Sequence, residues 1–187
     1  MPNHISFWGD DSETGAYILW IAVAKDIMVT FGRFRNGSPV AVPAGFYAYV
    51  GSAMGRHGSS SLAGRLLRHA TRTSHQPPHA LRVPMPEALA AAGLGGPDYR
   101  LPSAKRLHWH IDYLLDDPAV EIARVLVLRS RVRMENELAR SLDAHPGFAP
   151  LVPGLGASDA AGETHVFRVR TDLIGWPDVA AVLPISR

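Results

Sequence analysis

The run Ala16–Ala24, AYILWIAVA, is the longest unbroken apolar stretch in the chain. It is about half the length that spans a bilayer, and it concentrates Tyr, Ile, Trp and Val. A run of this kind predicts a strand buried on both faces, so the chain must build other layers to cover it. The sequence can supply them. Its 187 residues are 47% hydrophobic and 19% charged, which suits one globular domain rather than a disordered or fibrous chain. There are no cysteines, which excludes a disulfide framework, a Cys-based zinc finger and an iron–sulfur cluster. Met1–Asp11 holds two acids and no Lys or Arg, so no signal peptide is expected. The expectation is a cytoplasmic protein with no membrane segment.

Further strands are predicted around the first. Ile27–Phe31 leads to a hairpin signal at Asn36-Gly37, with Val40 and Val42 beyond it. In Phe46–Gly51, alternation puts Phe46, Ala48 and Val50 on one face and Tyr47 and Tyr49 on the other. Glu121–Arg129 and His165–Arg170 also read as strands. Helices are predicted over Ser60–Arg72, capped by Ser60 or Ser61, and over Met134–Ala144. Strands with interspersed helices and no βαβ rhythm indicate an α+β fold. The expected domain is 13–170, with residues 1–12 a loose lead-in, 171–187 a tail and 73–104 an irregular insertion. That insertion has six prolines, Arg72, Arg82, Arg100, Lys105 and Arg106 on or near it, and room for a short helix at Glu87–Ala92.

Net charge is +2, and of the 19 Lys and Arg residues only Lys25 and Lys105 are lysine. Bulk charge therefore does not predict a polyanion partner, but arginine's planar fork suits phosphate oxygens. On a helical wheel Leu62, Ala63, Leu66, Leu67 and Ala70 share one arc. Arg65, Arg68, His69 and Arg72 form a basic stripe on another, expected to face outward. In the later helix Met134, Leu138, Ala139 and Leu142 define the apolar arc. Glu135 falls inside it and Glu137 outside. An inward carboxylate is costly unless a cation meets it, and an arginine or a metal would serve. No Walker loop and no G-x-G-x-x-G follows a strand. His108, His110 and Asp112 would share a face if HWHID were a strand. His165 could then join them as a zinc ligand set. Trp109 would stack on a base or fill the core.

Taken in order, Gly15-Ala16-Tyr17, Tyr49-Val50-Gly51, Arg65 with His69, and Glu135 resemble the GIY-YIG endonuclease superfamily. YVGSAMG at 49–55, HWHIDYLL at 108–115 and GLGASD at 154–159 are similar to those of a branch of short, stand-alone members. That branch commonly carries cysteines after the last string, where Ala160 and Gly162 stand here. The resemblance implies a small antiparallel sheet, about three central strands plus a hairpin, flanked by helices. It implies a phosphodiesterase that cuts DNA with one divalent metal, Mg²⁺ or Mn²⁺, held by Glu135. Arg65 would clamp the phosphate. Tyr17 would be the general base or would position the attacking water, and Tyr49 and His69 would orient substrate or relay protons. A phenol with a pKa of about 10 needs positive charge nearby to act as a base, which Arg65 and the metal would supply. Ser52, Arg68, Arg72, His108 and His110 are the expected nucleic-acid contacts, with single-stranded or structured DNA favoured over specific duplex. Two other readings stand beside this one: a nucleic-acid-binding module without cleavage, and the zinc hydrolase built on His108, His110 and Asp112.

Overall fold

The computed structural model describes residues 4–73, 76–95, 105–156 and 163–170. The expected tail at 171–187, Arg100 and the Ala157–Asp159 end of the last motif lie outside them. The element order is β1 (Ile5–Gly9), β2 (Gly15–Val23), β3 (Ile27–Val29), β4 (Val40–Val42), β5 (Gly45–Ala53), α1 (Leu62–His69), α2 (Met85–Ala91), α3 (His110–Leu115), β6 (Val120–Arg129), α4 (Glu135–Ala144), β7 (Phe148–Pro150) and β8 (Val166–Val169). The fold is α+β. Its main sheet has six strands in the order β1-β6-β2-β5-β8-β7, and β3 and β4 form a separate hairpin.

This sheet is larger than the three-strand core expected, and it is mixed. β1 runs parallel to β6, pairing Ile5 with Val125 through Gly9 with Arg129. The presumed lead-in therefore holds an edge strand, with Ile5 buried. Arg129 fastens the turn after it by donating to the carbonyls of Asp11 and Ser12. β7 likewise adds an edge, in a segment for which no strand is predicted above. Both strands are short and half covered, so neither carries the apolar run that marks a central strand.

The buried run became β2, central as its composition demands, paired antiparallel with β5 and β6. Its alternation splits the core. Tyr17, Leu19 and Ile21, with Tyr47 and Tyr49, face a layer containing Leu62 and Leu66 of α1 and Ile111 and Leu114 of α3. Ala16, Ile18 and Trp20, with Ala48 and Val50, face Leu138, Ala139 and Leu142 of α4. Among the described residues, no helix is long and apolar enough to cross a membrane.

The described part of the 73–104 insertion is not a bare loop. It carries α2, which buries Met85 and Leu89, and it is pinned to the body by Arg72. Arg72 does not join an outward stripe. Only 5% exposed, it donates to the carbonyls of Leu115, Pro77 and Val120 and pairs with Glu121. Arg72→Met removes these hydrogen bonds and the pairing with Glu121 from a buried position, and it is expected to cost about 3 kcal/mol. Urea unfolding would show the lower midpoint, with no change in slope if the fold is kept.

Candidate functional site

The register of β2 on β5 sets Tyr17 directly opposite Gly51. A Cβ at position 51 would lie 2.5 Å from the Tyr17 hydroxyl oxygen, so only glycine admits this ring. The hydroxyl reaches His69 Nε2 at 2.8 Å. Tyr49 lies two residues before Gly51 on β5. Its ring centroid is 6.3 Å from that of Tyr17 and 5.8 Å from that of His69.

His69 and Arg65 come from α1. Ser61 caps this helix, its side chain accepting from the Gly64 amide. The basic side of the helix is covered. Segment 105–115 crosses it, and Asp112 binds into it from the first turn of α3. Asp112 Oδ2 accepts from Arg68 Nη2 at 2.6 Å and from the amides of His108 and Trp109 at 3.0 and 3.1 Å. His69 is fully buried. The Trp109 ring packs under both guanidiniums, 4.4 Å from Arg65 Cζ and 4.5 Å from Arg68 Cζ. Arg65 Nη1 also donates to the Ser52 carbonyl at 2.8 Å, so its fork is held at the end of β5.

β8 pairs β5 only over Tyr47–Tyr49, and the Val50 amide donates to His165 O. Beyond that point the ladder opens, and α4 brings its first turn to the gap. Glu135 accepts from the Ser52 hydroxyl, and its Oε1 lies 3.2 Å from His165 Nδ1. Arg133 is farther, at 3.9 Å. Glu137 points outward and is exposed. Tyr49, Ser52, Arg65, His108, Trp109 and Glu135 are among the walls of a cleft of about 460 Å³. Five of the residues singled out in the sequence, Tyr17, Tyr49, Arg65, His69 and Glu135, thus meet at or just behind one cleft.

Burial dominates the electrostatics. It pushes the Tyr17 hydroxyl well above its ordinary value. Tyr49 adds to the rise, and the opposing pull of Arg65 is smaller. Arg65 does lower this phenol, as expected, but by less than burial and Tyr49 together raise it. Burial also lowers His69 from 6.5 to about 4, against the pull of Asp112. For Glu135 burial acts upward, but His165 and Ser52 outweigh it and hold the carboxyl below its usual range. Asp112 is likewise held low: burial acts upward, and His69, Lys105 and Arg68 together prevail.

The zinc arrangement depended on HWHID being a strand, and it is not one. Trp109 caps α3, which turns His108, His110 and Asp112 apart. His110 packs on Phe34, and His108 packs edge-on to Trp109 at the cleft. Asp112 is taken up by Arg68, and His165 lies beside Glu135. Among the described residues, no group of three or more His, Cys, Asp or Glu is placed to hold a metal. Of the expected nucleic-acid contacts, Ser52 and His108 line the cleft. Arg68 is mostly covered, Arg72 is internal, and His110 sits against Phe34. The roles missed were Asp112 as partner of His69, Trp109 as support for two arginines, and His165 as partner of Glu135. The first two had a signal, an acid and an aromatic in one short motif. The third had none.

A family model described as "Domain of unknown function DUF123" matches residues 16–176, and the chain belongs to that family. No curated protein and no solved structure matches it.

Two outcomes follow from this geometry. Gly51→Ala should displace the Tyr17 ring and cost about 1–3 kcal/mol, read as a lower urea midpoint. His69 gives a pH signature. The unfolded ring takes up a proton below about 6.5, whereas the folded ring stays neutral down to about 4. The unfolded state thus binds more protons in that window, so stability falls as pH drops through it. His69→Gln should flatten this dependence by up to about 3 kcal/mol between pH 6.5 and 4. An unchanged slope in urea titrations at several pH values would show that the native ring charges freely.

Proposed function

We propose that this chain is a divalent-metal-dependent endonuclease of the GIY-YIG type, hydrolysing DNA phosphodiester bonds in the cytoplasm. The observation that carries the reading is convergence. Tyr17 of β2, Tyr49 of β5, Arg65 and His69 of α1 and Glu135 of α4 are scattered over 119 positions of sequence (17 to 135 inclusive), yet they gather at one cleft.

The residues present fit a hard cation. Glu135 offers an ionised oxygen donor at a cleft wall, and Mg²⁺ or Mn²⁺ with one or two carboxylates keeps most of its waters. When bound, the cation would stabilise charge on the phosphate and on the leaving oxygen. The chain's own residues do the rest. Arg65, placed over the Trp109 ring and tied to Ser52 O and Ser59 O, presents Nη2 to the phosphate oxygens as charge builds there. Tyr49 and His108 border the substrate at the cleft wall. Tyr17 is 1% exposed, so it addresses a water admitted with the phosphate and not bulk solvent. That water's oxygen forms the new bond to phosphorus, and the bond from phosphorus to the leaving oxygen breaks. The water's proton passes to the Tyr17–His69 pair, and the leaving oxygen takes one from solvent.

A cleft bordered by Arg65 and Arg133 suits single-stranded or structured DNA, bound loosely and with strong salt dependence. The test is a cleavage assay on labelled single-stranded, duplex and flapped DNA with Mg²⁺, Mn²⁺ or EDTA. Wild-type protein should cut only with metal. Glu135→Ala should be inactive, and Tyr17→Phe should retain measurable activity after a loss of about 10²- to 10⁴-fold. Binding without cutting on every substrate would replace this reading with that of a nucleic-acid-binding module.

A further inference from the structure

We propose that Asp112 is a positioning residue of this site: it holds the His69 ring as the Nδ1–H tautomer, which leaves Nε2 to accept the Tyr17 hydroxyl proton. The inference deepens the endonuclease reading and takes its catalytic meaning from it, but the tautomer can be observed without any cleavage.

The Asp112 side chain is completely covered, and its two oxygens have different surroundings. Oδ2 accepts from three donors, Arg68 Nη2 and the amides of His108 and Trp109. The carboxylate is thereby fixed in place. Oδ1 faces the other way, 3.7 Å from His69 Nδ1 and 3.6 Å from Lys105 Nζ. All three of these atoms are buried and have no hydrogen-bond partner. Buried polar atoms are rarely left so, and a small tilt of the imidazole closes the Nδ1–Oδ1 contact. An ionised carboxylate can only accept, so the ring nitrogen facing it must be the one that carries hydrogen.

The other ring nitrogen then has a lone pair, and Tyr17 must donate to it. This fixes the direction of the Tyr17 hydroxyl. Its hydrogen points at His69 and its own lone pairs are free for a water. The opposite tautomer would reverse the bond and turn the Tyr17 hydrogen away from His69, making Tyr17 a donor where the reaction needs an acceptor. The groups facing His69 from the packed elements are Tyr17 and Tyr49 from the sheet, Asp112 from α3, Lys105 and Trp109 from the crossing segment, and Arg65 from its own helix. Of these, Asp112 is the anion at Nδ1.

Asp112→Asn makes a sharp test. The three donors at Oδ2 require an oxygen there, so the new amide nitrogen must occupy the Oδ1 position and donate toward His69. Nδ1 then becomes the acceptor, and the proton moves to Nε2. In full-length protein labelled with ¹⁵N-histidine, long-range ¹H–¹⁵N correlation spectra distinguish the tautomers, with His69 assigned by its loss in His69→Gln. Wild type should show a protonated Nδ1 and a bare Nε2, and Asp112→Asn should show the reverse. In the cleavage assay the same variant should lose activity by up to about 10⁴-fold, as wrong-tautomer variants of a serine protease do. A wild-type ring protonated at Nε2, or a ring unchanged in Asp112→Asn, overturns the proposal. If the variant does not fold, the wild-type spectrum decides alone. A chain with the expected tautomer that cuts no DNA supports the Asp112 assignment and removes the endonuclease reading. A chain that cuts with the opposite tautomer does the reverse.

Discussion

The pairing of β2 with β5 is the constraint on which the rest of the site depends. It places Tyr17 across from Gly51, and the missing side chain at Gly51 is what lets the phenol ring lie flat over the neighbouring strand. A shift of one residue would send Tyr17 to the opposite face of the sheet, because side chains alternate with a period of two. The hydroxyl would then face α4 instead of α1 and lose His69. The same register sets Ser52 beside Gly51 on the opposite face, where its hydroxyl meets Glu135 and its carbonyl meets Arg65. Two neighbouring residues of one strand thus serve both layers of the domain.

Around this pairing the chain spends much of its buried polarity on keeping α1 in place. Asp112, Arg68, Lys105 and His69 form a covered cluster with one carboxylate at its centre. Breaking such a cluster costs more than forming it contributes, since the remaining charges would be left uncompensated. Its value here is geometric: it fixes which way a helix and a loop face each other. Trp109 adds an apolar plate under two guanidiniums, which favours one orientation of each fork.

Much of this was legible in the sequence. The apolar run from Ala16 announced a central strand, the alternation of Phe46–Val50 assigned both faces of β5, and the Ser60-Ser61 pair marked the start of α1. The wheel also separated Glu135 from Glu137 before any contact was visible. What the wheel could not report is how many layers a helix touches. It gave α1 a basic side, and that side is largely covered, with Arg65 left at the cleft, because segment 105–115 returns over it, an arrangement set by contacts about forty residues away in sequence. HWHID misled for a related reason. Ile and Trp favour strands, but the Asp112 carboxylate accepts from the amides of His108 and Trp109 and caps a helix start there instead. β1 was hidden because an edge strand needs only one good face. The closeness of His165 to Glu135 joins two separate elements and leaves no local trace.

The parallel pairing of β1 with β6 has a bearing on how the chain acquires its shape. Ile5–Gly9 is made well before Val125–Arg129, its one neighbour among the described strands of the sheet. Until that segment exists, the first strand has no ladder to join. Long-range parallel pairing of this kind closes slowly, because chain entropy is lost before contacts repay it. β2 and β5 can meet much earlier, so the floor of the cleft can form while its rim is still being made. The nascent chain therefore carries an unpaired, partly apolar strand until Val125–Arg129 has been made. That exposed edge, more than any feature of the finished cleft, is where this protein is most open to misassembly.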